Sequence, residues 1–135
     1  MIMKKLIPFI LAIMLAPLAF AGISEYPNIS DQDLKQVVAS KQVTLLDISG
    51  TDAFNAGHIP GAIDFAANKD NLNAYLPPGK EVLIVVYCHT EACPDYTTAA
   101  GAAVDLGYTN VKFYPPGLAG WIKAGGRVEK SSPAK

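Results

Sequence analysis

An α/β domain built on a mainly parallel sheet is the fold class that the sequence predicts, on three observations. Short apolar, β-branched runs alternate along the chain with helix-patterned segments, the pattern of repeated βα units. The strongest run, Val82 to Tyr87 (VLIVVY), is apolar on both faces, as a central strand of a covered parallel sheet must be. Once an N-terminal apolar block is set aside, the remaining length suits one ordinary domain.

That block has the features of an export signal. Lys4 and Lys5 form a positive start, Leu6 to Phe20 is an almost unbroken apolar run, and Ala19-Phe20-Ala21 offers a small-x-small cleavage pattern. A membrane-spanning helix needs roughly 20 apolar residues, which weighs against an uncleaved anchor. Gly22 follows the predicted cut where a lipid-anchored protein would need Cys. Removing residues 1–21 leaves 114 residues with a net charge of −3, against −1 for the whole chain of 135. The expectation is a soluble protein outside the cytoplasm, most simply periplasmic. Balanced charge and 50% hydrophobic residues exclude a disordered tail, a collagen-like repeat and a polybasic nucleic-acid binder. Charge patterning gives no support for a nucleic-acid partner, nor for a membrane partner after signal cleavage.

Residues 22–29 read as an exposed lead-in, 30–130 as the domain and 131–135 as a short polar tail. Ser30 can cap a first helix, with Asp33 three residues on and Leu34, Val37 and Val38 forming its apolar face. Val43 to Ile48 is a buried strand candidate. Thr51 to Ala56 gives one to two helical turns stopped by Gly57. Ala62 to Ala66 reads as a short strand and Asn68 to Leu76 as a helix closed by Pro77-Pro78-Gly79. After the central strand comes a polar loop over 88–93. A helix from Pro94 to Leu106 follows, with Pro in its first position and Gly107 just beyond its end. Val111 to Tyr114 is the last strand, and a helix running through Trp121 to Ala124 ends at Gly125-Gly126. Trp121 reads as core packing, and Tyr114 to Gly117 as a wall of the pocket.

Sheets of this class place reactive groups at the carboxyl ends of their strands, and the strongest strand ends directly in Cys88. The loop Cys88-His89-Thr90-Glu91-Ala92-Cys93 then leads into a helix start. A helix start carries about half a positive charge and unpaired N–H groups, and a tight loop can turn further amides toward one point. Each effect favours a Cys88 thiolate, the nucleophilic form, over a thiol. The competing structural reading makes Cys88 a small buried hydrophobe at a strand end.

These residues resemble the single-domain rhodanese family, over roughly residues 30–128. Leu45-Leu46-Asp47-Ile48 resembles its first-strand motif, and Gly57-His58-Ile59-Pro60-Gly61-Ala62 its most recognisable segment. Val85-Val86-Tyr87-Cys88 is similar to the strand entering the active-site cysteine. Ala99-Ala100, Leu106 to Val111, and Gly117-Leu118 through Trp121 to Ala124-Gly125 are similar to the elements that follow. The resemblance implies a rhodanese-like α/β fold, with a central sheet of four to five strands flanked by helices on both faces. It also implies a sulfurtransferase. Cys88 would take sulfane sulfur from thiosulfate, polysulfide or a persulfide and hand it to a thiol, such as a protein thiol, or to cyanide. The amides of His89, Thr90, Glu91, Ala92 and Cys93 would bind the donor. No metal and no organic cofactor is implied.

The chain departs from the family at informative places. Ser49 stands where an arginine is usual, Glu91 replaces a glycine common in the loop, and the loop holds no Arg or Lys. Weak thiosulfate affinity is therefore expected, with a Michaelis constant above the submillimolar range. Pro94 occupies the position where Cys-x5-Arg spacing would need the arginine, which argues against phosphatase or arsenate-reductase chemistry. Three roles are open to Cys93: resolving a Cys88 persulfide or sulfenate as a reversible disulfide, carrying sulfur itself, or helping to cap the helix. Cys-His-x3-Cys is not a standard zinc spacing, so no metal is assigned to Cys88, His89, Cys93 or His58. His58 reads as a hydrogen-bonding strut, and Asp47 as a residue that ties down a loop rather than an acid or base. His89 is either a titratable aid to donor binding or a solvent-facing loop residue. Two further readings stay open: a non-catalytic rhodanese-like binding module, and a thiol–disulfide redox protein using Cys88 and Cys93.

Overall fold

All four residues of β3 (Ile84–Tyr87) are buried, as the two-faced apolar run requires. The computed structural model describes residues 26–90, 93 and 96–131. The predicted export signal, Glu91, Ala92, Pro94 and tail residues 132–135 lie outside the described residues. β3 pairs in parallel with β1 (Thr44–Asp47) on one side and β4 (Val111–Tyr114) on the other. A short β2 (Ile63–Asp64) completes a four-stranded parallel sheet in the order β2-β1-β3-β4.

Alternation along the strands sends side chains to two separate cores. Leu45, Val85, Tyr87 and Tyr114 pack with Leu34 of α1 (Asp31–Ala39) and with Leu118 and Trp121 of α5 (Gly117–Lys123). On the other face Leu46, Ile84, Val86 and Val111 meet Leu72, Leu76 and the small residues Ala99, Ala100 and Ala103 of α4 (Tyr96–Asp105). Each large aliphatic chain buried this way contributes about 1.5–3 kcal/mol. The α/β architecture with helices on both sheet faces is therefore as the sequence indicates. Ser30 caps α1 by accepting a hydrogen bond from the Asp33 N–H at 3.1 Å, and Trp121 is core, its indole N–H donating to the Arg127 carbonyl at 2.7 Å.

Three expectations need correction. The strand predicted over Ala62 to Ala66 stops at Asp64, because Asp64 caps a new helix, α3 (Phe65–Asn68), by accepting from the Ala67 N–H at 3.3 Å. The helix predicted from Asn68 is a 3-10 segment, Lys69–Ala74, broken by Asn71 at φ −138°, ψ 37°. The lead-in is not wholly exposed. Ile29 is buried and donates its N–H to the Phe113 carbonyl, while the Phe113 N–H donates to the Pro27 carbonyl, both at 2.9 Å. These bonds satisfy the otherwise open edge of β4. Among the described residues no helix is long and apolar enough to cross a membrane.

Candidate active site

Asp47, Tyr87 and Tyr114 are register partners at the carboxyl ends of β1, β3 and β4, so they form a row on one face of the sheet. All three are fully buried. Asp47 Oδ1 accepts from the backbone N–H of Ser49 at 2.9 Å and from the Ser49 hydroxyl, which closes the turn into α2 (Thr51–Ala56). Its Oδ2 faces His89 Nε2 at 3.6 Å, and among the described residues neither buried atom has a partner at hydrogen-bond distance. His89 is thus turned inward against a buried carboxylate, with only about a quarter (28%) of its side chain exposed. The solvent-facing alternative for His89 does not describe the structure.

The Tyr87 hydroxyl accepts from the Ile59 N–H at 3.0 Å, which pins the segment after His58 to the central strand. Burial raises the Tyr87 phenol well above its ordinary value, and the neighbouring Asp47 charge pushes it the same way. Tyr114, whose hydroxyl donates to Asp31, is raised by burial and by that carboxylate. A phenol held protonated in the folded state stabilises it up to the unfolded value near 10 and loses that contribution as pH rises further. Unfolding free energy should therefore fall above about pH 10, by about 1.4 kcal/mol per pH unit for each such group. Urea titrations between pH 9 and 11 check this. A Tyr87→Phe, Tyr114→Phe double variant should show a clearly flatter decline, and an unchanged slope would contradict the assignment.

Cys88 follows Tyr87 directly and is only 3% exposed. Its sulfur is joined to that of Cys93 in a disulfide with the Cα atoms 6.1 Å apart. No free cysteine is present among the described residues. The loop backbone is held from the other side by α5: Leu118 N–H donates to the Cys88 carbonyl at 2.8 Å and Ala119 N–H to the His89 carbonyl at 2.9 Å. In trans peptides the following amides point opposite to these carbonyls. The N–H groups of His89 and Thr90 consequently face away from α5. Gly117 makes the docking possible: its φ is +65°, and a Cβ there would lie 2.4 Å from the Cys88 carbonyl oxygen.

Thr90 opens onto a cleft of about 780 Å³ lined also by Asp31, Pro116, Ala119, Gly120, Lys123 and Ala124. Of the predicted wall, Pro116 lines this cleft, while Tyr114 and Gly117 are buried and do not line it. Lys123 is a cation beside the loop that local sequence reading misses, because it arrives from α5, more than thirty residues downstream. His58 lies elsewhere: its Nδ1–H donates to the Phe54 carbonyl at 2.8 Å, its ring stacks on Phe54 at 3.9 Å, and its Nε2 is 3.7 Å from Glu129. It joins α2 to the C-terminal segment, with which its backbone forms an antiparallel bridge.

A parallel α/β sheet with a cysteine at the end of its central strand defines a protein class in which chemistry is expected at that loop. Residues 30–124 match the rhodanese-like domain family, and the chain belongs to it. It is similar to the thiosulfate sulfurtransferase GlpE of Shewanella oneidensis, at 29% identity over 76% of this chain and 98% of that protein. It is also 36% identical, over 68% of its length, to the HTH-type transcriptional regulator Rv0324 of Mycobacterium tuberculosis, but spans only 40% of that protein. Among solved structures it is similar to the BH2092 protein from Bacillus halodurans, with 30% identity, 78% of each chain covered and a TM-score of 0.66.

Proposed function

We propose that this chain is a sulfurtransferase that moves sulfane sulfur through a persulfide on Cys88. The observation that carries the reading is the position of Cys88 at the carboxyl end of the central strand, with its loop backbone clamped to α5 by two hydrogen bonds. Family membership and the similarity to a thiosulfate sulfurtransferase support the same class of reaction. The reactive form is the reduced one, so a dithiol reductant first opens the Cys88–Cys93 bond by thiol–disulfide exchange, leaving two protein thiols and itself oxidised to a disulfide. The Cys88 thiolate then attacks the outer sulfur of thiosulfate. A new S–S bond forms, the old one breaks, and sulfite leaves with the electron pair. A thiol or cyanide next takes the outer sulfur, and Cys88 departs as thiolate.

In this reading the loop amides bind the anionic donor, Lys123 on the neighbouring cleft attracts it toward the loop, and Asp47 orients His89 beside the nucleophile. The N-terminal signal, outside the described residues, would deliver the protein to the periplasm. Lys123 sits on an open cleft, where a charge contact is worth at most about 1 kcal/mol. Lys123→Ala should accordingly raise the Michaelis constant for thiosulfate about 3- to 5-fold with little change in kcat. A drop confined to kcat would contradict a binding role.

Sulfite release tests the reading itself. Reduced protein should liberate sulfite from thiosulfate, and Cys88→Ser protein should not. Equal release by both would remove Cys88 from the reaction.

A further inference from the structure

Cys93 is the residue that the transfer reaction leaves unused, yet it is the partner to which Cys88 is bonded. We propose that Cys93 is a built-in sulfur-reducing thiol, which resolves the Cys88 persulfide internally and releases the sulfur as hydrogen sulfide. The proposal rests on the persulfide reading above and adds a second activity to it: reduction of sulfane sulfur to sulfide at the expense of two protein thiols.

The Cys93 thiolate attacks the inner sulfur of the Cys88 persulfide. The Cys88–Cys93 bond forms, the bond to the outer sulfur breaks, and that sulfur leaves with the electron pair and is protonated to sulfide. Summed with persulfide formation, one thiosulfate and two thiols give one sulfite, one hydrogen sulfide and one disulfide. The sulfane sulfur is reduced and the two cysteines are oxidised. A dithiol reductant then restores the starting state.

Three observations favour this outcome over transfer to an outside acceptor. First, the two Cα atoms are 6.1 Å apart, within the range that a disulfide spans. The attack therefore needs no rearrangement of distant elements. Second, Cys88 is almost completely buried, which restricts a bulky acceptor, whereas Cys93 is five residues away in the same loop. An intramolecular nucleophile acts at an effective concentration that external thiols do not approach. Third, the two residues differ in burial: Cys93 is only partly buried while Cys88 is buried. Exchange with a reductant is directed to the accessible sulfur. Attack at Cys93 expels Cys88 as the leaving thiolate, the form needed for the next donor. Cys88 itself stays fixed through its carbonyl bond to Leu118, while the Cys93 N–H contacts the Thr90 carbonyl at 3.4 Å.

The test is a single turnover of fully reduced full-length protein with excess thiosulfate, without oxygen and without added thiol. Sulfite, sulfide and the protein mass are followed together. Wild type should release sulfite and sulfide in equal amounts and lose the mass of two hydrogens as the disulfide closes. Cys93→Ser should release the same sulfite, at least about tenfold less sulfide, and gain one sulfur atom on the Cys88 peptide. Comparing reduced proteins removes the disulfide's own stabilisation from the comparison, and Cys93→Ala guards against an effect peculiar to serine. Should wild type keep the added sulfur and release no sulfide, or should both proteins release sulfide equally, the resolving role of Cys93 is overturned while the persulfide reading stands. Should neither protein release sulfite, the persulfide reading itself fails.

Discussion

Replacing Cys88 with serine should lower thiosulfate-dependent sulfite release by about 10⁴-fold, to the level of the uncatalysed background. Serine is close in size and keeps the strand intact, but its hydroxyl ionises far too weakly at neutral pH to act as a sulfur nucleophile. The loss should fall on kcat, because the donor binding proposed for the loop amides, with Lys123 nearby, needs no thiolate. The same substitution deletes the disulfide. Its closed loop is short, so the oxidised wild type should exceed the variant by only about 2 kcal/mol in unfolding free energy. Reduced wild type and variant should unfold alike. Denaturant titration with and without reductant separates the two consequences. A stability loss that persists under reducing conditions would show that Cys88 matters chiefly as packing in the core.

Gly117→Ala should be strongly damaging although the residue carries no side chain that could touch a substrate. The left-handed φ of +65° costs a non-glycine residue about 1–2 kcal/mol. The added methyl would also lie 2.4 Å from the Cys88 carbonyl oxygen and 3.0 Å from the His89 carbonyl carbon, both backbone atoms with no freedom to rotate away. Relief requires the loop and α5 to separate, which stretches the 2.8 Å bond from Leu118 to Cys88 and the 2.9 Å bond from Ala119 to His89. A total of about 3 kcal/mol is expected, corresponding to a fall in Tm of roughly 10 °C for a domain of this size. Because the displaced atoms include the backbone of Cys88, the proposed nucleophile, kcat/KM should drop about 10²-fold in the fraction that remains folded. Thermal unfolding and initial rates check both. Gly79→Ala is the control: a Cβ there meets only Val82 at 3.5 Å, an ordinary contact, and the change should stay within about 0.5 kcal/mol. A Gly117→Ala protein as stable and active as that control would mean that α5 does not hold the loop.

The contrast between these two residues shows what the sequence makes legible. Apolar runs bounded by turn residues identify β1, β3 and β4, with Val111 to Tyr114 recovered to the residue. The position of Cys88 follows from the end of the best such run. These signals are local, since each reports how a short segment buries its own side chains. Asp64 was harder to read because the same residue ends β2 and caps α3, and no apolar period marks that change. The contacts that shape the site are long-range. Lys123 on the cleft, the docking of Leu118 and Ala119 on the Cys88 loop, and the approach of His89 to Asp47 all depend on which elements lie beside the central strand. Gly117 looks like one more turn glycine after two prolines until the fold places the Cys88 carbonyl against it. The pairing of Pro27 to Ile29 with β4 was hidden for the same reason: an edge takes whatever extended segment the topology brings to it.

The central claim is that Cys88 carries the sulfur, and locating that atom tests it most directly. Reduced Cys93→Ser protein, in which resolution by the second thiol is blocked, is treated with thiosulfate radiolabelled in its outer sulfur, trapped by alkylation, and digested. Label is expected on the Cys88 peptide alone, removed by cyanide or a thiol. Protein that stays unlabelled, or that carries its label on any other residue, would contradict it.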